Sequence, residues 1–289
     1  MSASSVPAAW KPLALVSRTS QYFEERGVES PRLDAELLLA HALGVSRLDL
    51  YLDFERTVGG DALERYRGLV AARARERVPV AYLTGQREFW SRPFRVTRDV
   101  LIPRPDTELL VRVVKDLAPR RIAEVGVGSG AVIGTLACEL PEAELVGIDC
   151  CEAALAVAHE NLKALGVGQR VALARGDGPE ALVGRFDALV SNPPYVPSGE
   201  LEGLEPELGH EPRLALDGGL DGLDLVRRLV AAAPALVPGG SIVLELGLGQ
   251  AQSVRALLDS SGASGVETHR DLGGAERVVS ARFPAEGGG

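Results

Sequence analysis

The segment EVGVGSG, Glu124–Gly130, joins a short apolar run to a stretch with helical periodicity, and it decides the fold class of this chain. Its three glycines allow a sharp backbone turn and let a ligand approach the main chain closely. The helix that follows would direct unpaired N–H groups and the positive end of its dipole to the same place. The spacing of Gly126, Gly128 and Ala131 also fits the dinucleotide pattern G-x-G-x-x-G/A. We therefore expect a cofactor-binding loop made of Gly126, Val127, Gly128, Ser129 and Gly130.

Strand-like apolar runs alternate with helical segments around this loop. The seven runs cover 121–126, 144–149, 170–176, 186–191, 241–247, 265–270 and 277–283. This alternation predicts an open, mainly parallel sheet with helices on both faces. Only six residues separate the last two strands, too few for a parallel crossover, so these strands should form an antiparallel edge hairpin. The predicted fold class is α/β, a Rossmann-like seven-stranded sheet with an antiparallel edge hairpin.

The first third of the chain has helical spacing without strand-like alternation. The segment SPRLDAELLLAHALG, for example, opens with Ser30 as an N-cap and closes on Gly44, while Asp61 and Glu64 resemble a capping box. Apolar pairs on both sides of a short SRP break predict a β-hairpin linker. The predicted organisation is a helical bundle for partner recognition at 1–80, the hairpin linker at 81–105, the Rossmann-like domain at 106–284 and a disordered tail at 285–289.

The net charge of −9 lies entirely in the later part of the chain. Residues 1–88 carry 12 basic and 12 acidic residues, so the remainder holds 19 and 28. An acidic catalytic half argues against docking on a phosphate backbone, and we expect no direct nucleic-acid partner. Five arginines of the helical part are interpreted as a solvated helix surface: Arg65, Arg67, Arg73, Arg75 and Arg77.

Other function classes lack their sequence signals. The four histidines and three cysteines have no metal-ligand spacing and form no disulfide framework, so we expect no metal. No apolar run reaches the roughly 20 residues of a membrane span, and the start shows no signal-peptide pattern. We expect a monomer in a reducing cytoplasm, away from the membrane.

Asp149 ends the second strand of the βαβ pattern, 19 residues after Gly130. A carboxylate at this place can accept hydrogen bonds from the ribose hydroxyls of an adenosine-bearing cofactor. It could also cap the next helix. At this point both NAD and S-adenosylmethionine remain possible cofactors.

The segment SNPPYVP, Ser191–Pro197, follows the fourth strand and separates these two cofactors. The prolines fix their own φ and hold Asn192 in an extended pose, so the elbow presents the Asn192 side-chain oxygen and the Pro193 carbonyl as acceptors. Pro194 completes the elbow, and Tyr195 adds a flat ring. Two acceptors and a ring suit a planar NH₂ group, and both acceptors bind more strongly as positive charge develops on its nitrogen. The pattern favours methyl transfer to such a nitrogen over hydride transfer.

With these residues the chain resembles the HemK/PrmC family of S-adenosylmethionine-dependent methyltransferases. The resemblance covers nearly the whole chain and is most specific in the segments LIPRPDTE and HEPRLALDGG. It implies transfer of a methyl group from S-adenosylmethionine to the glutamine amide in the Gly-Gly-Gln motif of class I peptide chain release factors, in translation termination. It also implies that Asn192 to Tyr195 hold the target amide, that Asp149 binds the ribose and that Asp177 and Gly178 lie beside the adenine. Relatives often have a larger residue where this chain has Gly178.

Three alternative functions are weighed against this interpretation. An N-P-P-Y methyltransferase could act on an exocyclic amine of nucleic acid, such as rRNA guanine or DNA adenine. An NAD-dependent oxidoreductase would need a proton-relay side chain and would leave the elbow unexplained. A non-catalytic adenosyl-binding module would bind the cofactor without any methyl acceptor.

Overall fold

The structure, a computed structural model, describes residues 10–285, which form two compact units that divide between Gly85 and Gln86. Of the predicted tail at 285–289, all but Ala285 lies outside the described residues.

The first unit is a set of helices around its own apolar core. The helices are α1 (Pro12–Glu24), α2 (Pro31–Leu43), α3 (Asp49–Leu52), α4 (Gly60–Arg75) and α5 (Val80–Thr84). Phe23, Leu38, Leu39 and Tyr66 are among its fully buried side chains. As predicted, Ser30 occupies the N-cap position of α2, although its side chain makes no capping hydrogen bond. The helix closes on Gly44 as predicted, whose φ of 66° suits a residue without a Cβ atom.

Two local predictions for this unit were wrong. The capping box fails because α4 begins at Gly60, which places Asp61 inside the first turn, where its charge faces the helix dipole. Arg73 does not belong to a solvated surface, since it is only 6% exposed. Its Nε donates to Oδ2 of the buried Asp34 at 2.8 Å, and a buried charge requires such a partner.

The second unit combines a small hairpin with a large sheet and its helices. The hairpin strands are β1 (Gln86–Phe89) and β2 (Arg92–Arg95). The other strands are β3 (Arg121–Val125), β4 (Glu144–Asp149), β5 (Val171–Arg175), β6 (Ala188–Ser191), β7 (Ser241–Glu245), β8 (Ser264–Arg270) and β9 (Glu276–Arg282). The helices are α6 (Glu108–Leu117), α7 (Ala131–Glu139), α8 (Glu152–Ala164), α9 (Asp224–Leu236) and α10 (Ala251–Ser260).

The large sheet has the predicted seven strands in the order β5-β4-β3-β6-β7-β9-β8. The five strands from β5 to β7 pair in parallel, whereas β9 runs antiparallel to both β7 and β8. The predicted fold class, including the antiparallel edge hairpin, is confirmed. Parallel strands bring their carboxyl ends to one edge, and that edge is where such sheets bind ligands.

Helices cover both faces of this sheet, and its central strands β3, β6 and β7 are buried on both sides. Alternate residues of one strand therefore belong to different cores. Ile122 packs with α6, α7 and α8, whereas Ala123 and Val125 pack with α9 and α10. By the same alternation, Glu124 and Glu245 point to the face that α6 and α7 cover. Both carboxyl groups are thereby buried.

The β1–β2 hairpin turns at Trp90 and Ser91, one residue earlier than the SRP break suggests. Both residues have positive φ, 51° and 55°, as a two-residue turn of type I′ requires. Pro93 lies within β2, where it faces no third strand. Phe89 and Phe94 are fully buried and meet edge to face, with ring centroids 6.1 Å apart.

Candidate active site

A cavity of about 860 Å³ opens at the carboxyl ends of β3, β4, β5 and β6. Its size suits a nucleoside-bearing small molecule. The sequence-predicted residues that line it are Gly126, Val127, Gly128, Ser129, Asp149, Asp177, Gly178, Asn192 and Pro194. Gly130, Pro193 and Tyr195 were also predicted for the site, and they are not among the lining residues. The structure thus brings the loop, the acidic strand end and the elbow to one space.

The glycine loop is held by the carboxylate at the end of β4. The Gly128 N–H donates to Asp149 Oδ2 at 2.9 Å, and the Cys151 N–H donates to Asp149 Oδ1 at 2.9 Å. Asp149 therefore orients the loop, a contact that the sequence did not predict. It is not the N-cap of α8 as the sequence allowed, because Cys151 occupies that position. Gly130 has a packing role, because a Cβ atom there would lie 3.1 Å from Cβ of Ala158 on α8.

Glu124 places an unpaired carboxylate oxygen at the cavity wall. The residue is 2% exposed, and its Oε2 has no hydrogen-bond partner among residues 10–285. Burial raises the pKa of this carboxyl well above its ordinary value, and the nearby Asp149 charge raises it further. A buried acceptor without a partner is costly to the folded protein. A positively charged donor in the cavity would satisfy it.

The loop after β5 forms the opposite end of the cavity. Gly178 has φ 78° and ψ −177°, a conformation open mainly to glycine. The guanidinium group of Arg228, from α9, lies over it and also lines the cavity. Glu180 holds this guanidinium through two contacts of 3.1 and 2.7 Å, and Asp177 accepts a third hydrogen bond at 3.2 Å.

Sequence reasoning missed Arg228. It lies 50 residues after Gly178 in an ordinary amphipathic helix, and the signal that could have drawn attention to it was the absence of a side chain at position 178.

The elbow after β6 turns Asn192 toward the cavity. Asn192 Nδ2 donates to Thr107 Oγ1 at 3.3 Å, which leaves its oxygen available as an acceptor. Pro193 is buried, and Tyr195 is half-buried with its ring close to Gly247. Burial raises the pKa of the Tyr195 hydroxyl, and the negative charge of Glu245 adds to that shift.

Several contacts fix the backbone of this elbow. The Ser191 hydroxyl donates to the Val125 carbonyl at 2.7 Å, and Gln250 Nε2 donates to the Tyr195 carbonyl at 3.0 Å. The glycine-rich chain that continues from the HEPRLALDGG segment passes so close that a Cβ atom on Gly222, three residues beyond it, would lie 2.3 Å from the Tyr195 carbonyl oxygen. The elbow is thus held from two sides, by β3 and by this glycine-rich segment.

Arg104, in the IPRP segment, also lines the cavity. Its guanidinium pairs with Glu211, which is buried and accepts a second hydrogen bond from the Ile102 N–H at 3.0 Å. This pairing ties the IPRP segment to the HEPR segment.

Two further observations concern the site's surroundings. Within residues 10–285, no cluster of three or more His, Cys, Asp or Glu side chains could bind a metal ion. No helix of the described part of the chain is both long and apolar enough to cross a membrane.

Comparison with protein families gives two matches. A model described as the PrmC N-terminal domain matches residues 14–85, and one described as the methyltransferase small domain matches residues 104–204. Among curated proteins, the release factor glutamine methyltransferase of Geobacter sulfurreducens is 44% identical over 282 residues, covering 96% of this chain and 98% of that protein. The protein of the same name from Moorella thermoacetica is 46% identical over 243 residues, covering 82% and 86%.

Among solved structures, the catalytic domain of hMettl16, determined with a MAT2A 3′UTR hairpin, superposes with a TM-score of 0.57. The match covers 80% of this chain and 86% of that chain at 14% identity, so it concerns the fold alone. The fold of the second unit is that of class I methyltransferases.

Proposed function

The chain belongs to the family of release factor glutamine methyltransferases, and we propose that it methylates the side-chain amide nitrogen of the glutamine in the Gly-Gly-Gln motif of class I peptide chain release factors. The methyl donor in this proposal is S-adenosylmethionine. One observation carries the proposal: the acceptor-bearing Asn192 lines the same cavity as Asp149 and the glycine loop.

The cavity residues fit this donor. When bound, S-adenosylmethionine supplies a methyl group on a positively charged sulfonium. Glu124 Oε2, buried and without a partner in the described part of the chain, would accept a hydrogen bond from its ammonium group. Asp149 would accept hydrogen bonds from the ribose hydroxyls and keep its hydrogen bond from the Gly128 N–H of the loop. The acidic wall also favours the cationic sulfonium.

The nucleobase end of the donor would lie beside the loop after β5. The base extends beyond the ribose, and β5 is the next strand outward from β4. Asp177 and Gly178 would contact the base there, as the resemblance implies. Because Gly178 offers no side chain, the flat guanidinium of Arg228 is the group available for stacking.

The elbow would aim the glutamine amide at the sulfonium methyl. An amide nitrogen is a poor nucleophile because its lone pair is delocalised. Asn192 Oδ1 and the Pro193 carbonyl would each accept one amide hydrogen, which orients the nitrogen and stabilises its positive charge as the bond forms. No base is needed before attack, since the nitrogen loses its proton after the methyl has moved. The roles of Pro193 and Tyr195 rest on the sequence argument alone, because neither lines the cavity.

The partner is a folded protein, so the helical first unit is proposed to take part in its recognition. We also propose that the chain acts as a monomer. The nucleic-acid alternative has no support in the named relatives, since the likeness to an RNA-bound methyltransferase extends only to the fold.

Mass analysis of a release factor after incubation with the protein and S-adenosylmethionine tests the proposal. We expect one added methyl group, located on the glutamine of the Gly-Gly-Gln motif, and none on a release factor with alanine at that position. The Asn192→Ala variant should bind S-adenosylhomocysteine within about threefold of the unchanged protein, while its turnover falls by about 10²-fold or more. Methylation of rRNA in place of the release factor would overturn the proposal.

A further inference from the structure

Thr107 is a buried hydroxyl residue beside the elbow that the proposed mechanism leaves unused. It ends the short 3-10 turn before α6 and is 4% exposed. Its Oγ1 accepts a hydrogen bond from Asn192 Nδ2 at 3.3 Å, although the two residues are 85 positions apart. Thr107 therefore contacts the side chain that would hold the target amide.

Glu245 lies on the other side of this hydroxyl. It is the last residue of β7, the strand next to β6, and it is 2% exposed. The Thr107 hydroxyl lies close enough to this carboxyl group to lower its pKa. Its Oε2 finds no partner in the described part of the chain, so little besides Thr107 competes for this carboxylate.

The order of these three groups fixes the direction of the hydrogen bonds. A hydroxyl has one proton and two lone pairs. When Glu245 is ionised it can only accept, so Thr107 must donate to it and can offer only lone pairs to Asn192. The carboxamide of Asn192 then turns its NH₂ group to Thr107 and its oxygen to the cavity. With the carboxamide reversed, Asn192 would oppose the NH₂ of a glutamine with its own NH₂.

We infer that Thr107 and Glu245 are positioning residues that hold the Asn192 carboxamide with its oxygen toward the target nitrogen. The inference rests on the proposed function for the identity of that nitrogen. The contact between Thr107 and Asn192 lies within the protein, so it can be tested without the substrate.

The charge of Glu245 should titrate near neutral pH. Burial raises the pKa of this carboxyl to about 7, offset in part by the Thr107 hydrogen bond. The charged groups that face it are Asp106, which raises its pKa, and Arg277 and Arg104, which lower it. The Tyr195 hydroxyl faces it from the elbow. Once protonated, Glu245 can donate to Thr107, and the hydroxyl no longer selects the orientation of Asn192.

Three variants test the inference in the full-length protein with a release factor as substrate. Thr107→Val removes the hydroxyl at nearly constant volume, and we expect kcat to fall about 10- to 100-fold while the Kd for S-adenosylhomocysteine stays within about threefold. Thr107→Ser restores the hydroxyl and should recover most of kcat.

In the unchanged protein kcat should rise with pH through about 7, and Glu245→Gln should lower kcat and abolish this inflection. Thr135→Val is the matched control, because the Thr135 hydroxyl is buried without a partner among residues 10–285.

The results that would overturn the inference are equally specific. An unchanged kcat in Thr107→Val, or a Thr107→Ser variant as slow as Thr107→Val, would contradict a role of the hydroxyl. A loss of S-adenosylhomocysteine binding in Thr107→Val would make Thr107 a cofactor contact. An inflection near pH 7 that persists in Glu245→Gln would exclude Glu245.

A measurement without substrate separates this inference from the proposed function. The side-chain amide NMR signals of Asn192, identified by their loss in Asn192→Ala, should shift with a midpoint near pH 7 in the unchanged protein and stay constant in Glu245→Gln. If release factor is not methylated but these signals titrate, the proposed function fails and the inference stands. If the signals do not titrate, the inference fails whatever the substrate.

Discussion

The guanidinium group of Arg228 occupies the space that a side chain on Gly178 would need. A Cβ atom built on Gly178 would lie 2.2 Å from Arg228 Nη2 and 2.5 Å from its Cζ. One residue of α9 thus supplies a flat surface that the loop after β5 lacks, at the end of the cavity where we propose that the nucleobase binds.

Arg228→Ala should therefore weaken cofactor binding. We expect the Kd for S-adenosylhomocysteine to rise about tenfold, since stacking between a guanidinium and an aromatic ring contributes about 1–2 kcal/mol. Arg228→Lys keeps the charge but not the plane and should recover little of the loss. Titration calorimetry measures both. Glu180→Gln is the control for the surrounding ion pair, and an equal loss of affinity in that variant would point to loop structure as the cause.

Gly222→Ala should disturb the elbow from outside the cavity. Gly222 has φ 78°, and its added Cβ would press against the Tyr195 carbonyl oxygen at 2.3 Å. We expect a loss of about 1–3 kcal/mol in the free energy of unfolding and a clear fall in kcat. Gly166→Ala is a matched control, because Gly166 has a similar φ of 72° and nothing lies within 4 Å of a Cβ at that position. Denaturant unfolding should separate the two variants, and equal stability would contradict the close approach.

Glu124→Gln should stabilise the protein and weaken cofactor binding at the same time. Folding raises the pKa of Glu124, so its ionised form is disfavoured in the folded state and the penalty is present at neutral pH. Removing the charge should raise Tm, whereas the Kd for S-adenosylmethionine should rise because its ammonium group loses an ionic acceptor.

The unchanged protein should also release protons when S-adenosylmethionine binds near neutral pH, since a cation lowers the pKa of this carboxyl. Calorimetry in buffers of different ionisation enthalpy detects the release. If the Glu124→Gln variant still releases protons when S-adenosylmethionine binds, the release comes from another group.

Glu245 should make stability and activity change in opposite directions with pH. Its folded-state pKa of about 7 lies above the ordinary 4.5, so it contributes most to folding below pH 4.5, and this contribution disappears as the pH rises through about 7. Between low and high pH, this contribution to the free energy of unfolding changes by about 3 kcal/mol at most. Compared with Glu245→Gln, the unchanged protein should lose stability over this range while its kcat rises. Parallel changes in the two quantities would contradict this account.

Local patterns in the sequence were enough to predict the sheet and most of the cavity. Each predicted strand lies within about two residues of its observed bounds, because strands buried on both faces produce unbroken apolar runs between turn residues. The contact between Gly128 and Asp149 follows from two adjacent parallel strands whose carboxyl ends meet. These features depend on short-range order and strand adjacency.

What the sequence did not predict depends on side chains from distant segments. Thr107, Asn192 and Glu245 come from three parts of the chain, and no spacing rule relates a 3-10 turn to the ends of β6 and β7. The segment LIPRPDTE, which contains Thr107, was recognised as a family feature, yet this motif does not state which atoms its side chains contact. Arg228 was missed for the same reason.

The position of β9 in the sheet has a consequence for synthesis. This strand follows all the other strands of the described residues in the chain, and it inserts between β7 and β8. Until about Arg282 has emerged from the ribosome, one edge of β7 has no permanent partner, and unpaired edges of apolar strands readily join other chains. A premature stop between positions 276 and 282 should therefore give an aggregating product, although every residue of the cavity would already have been translated.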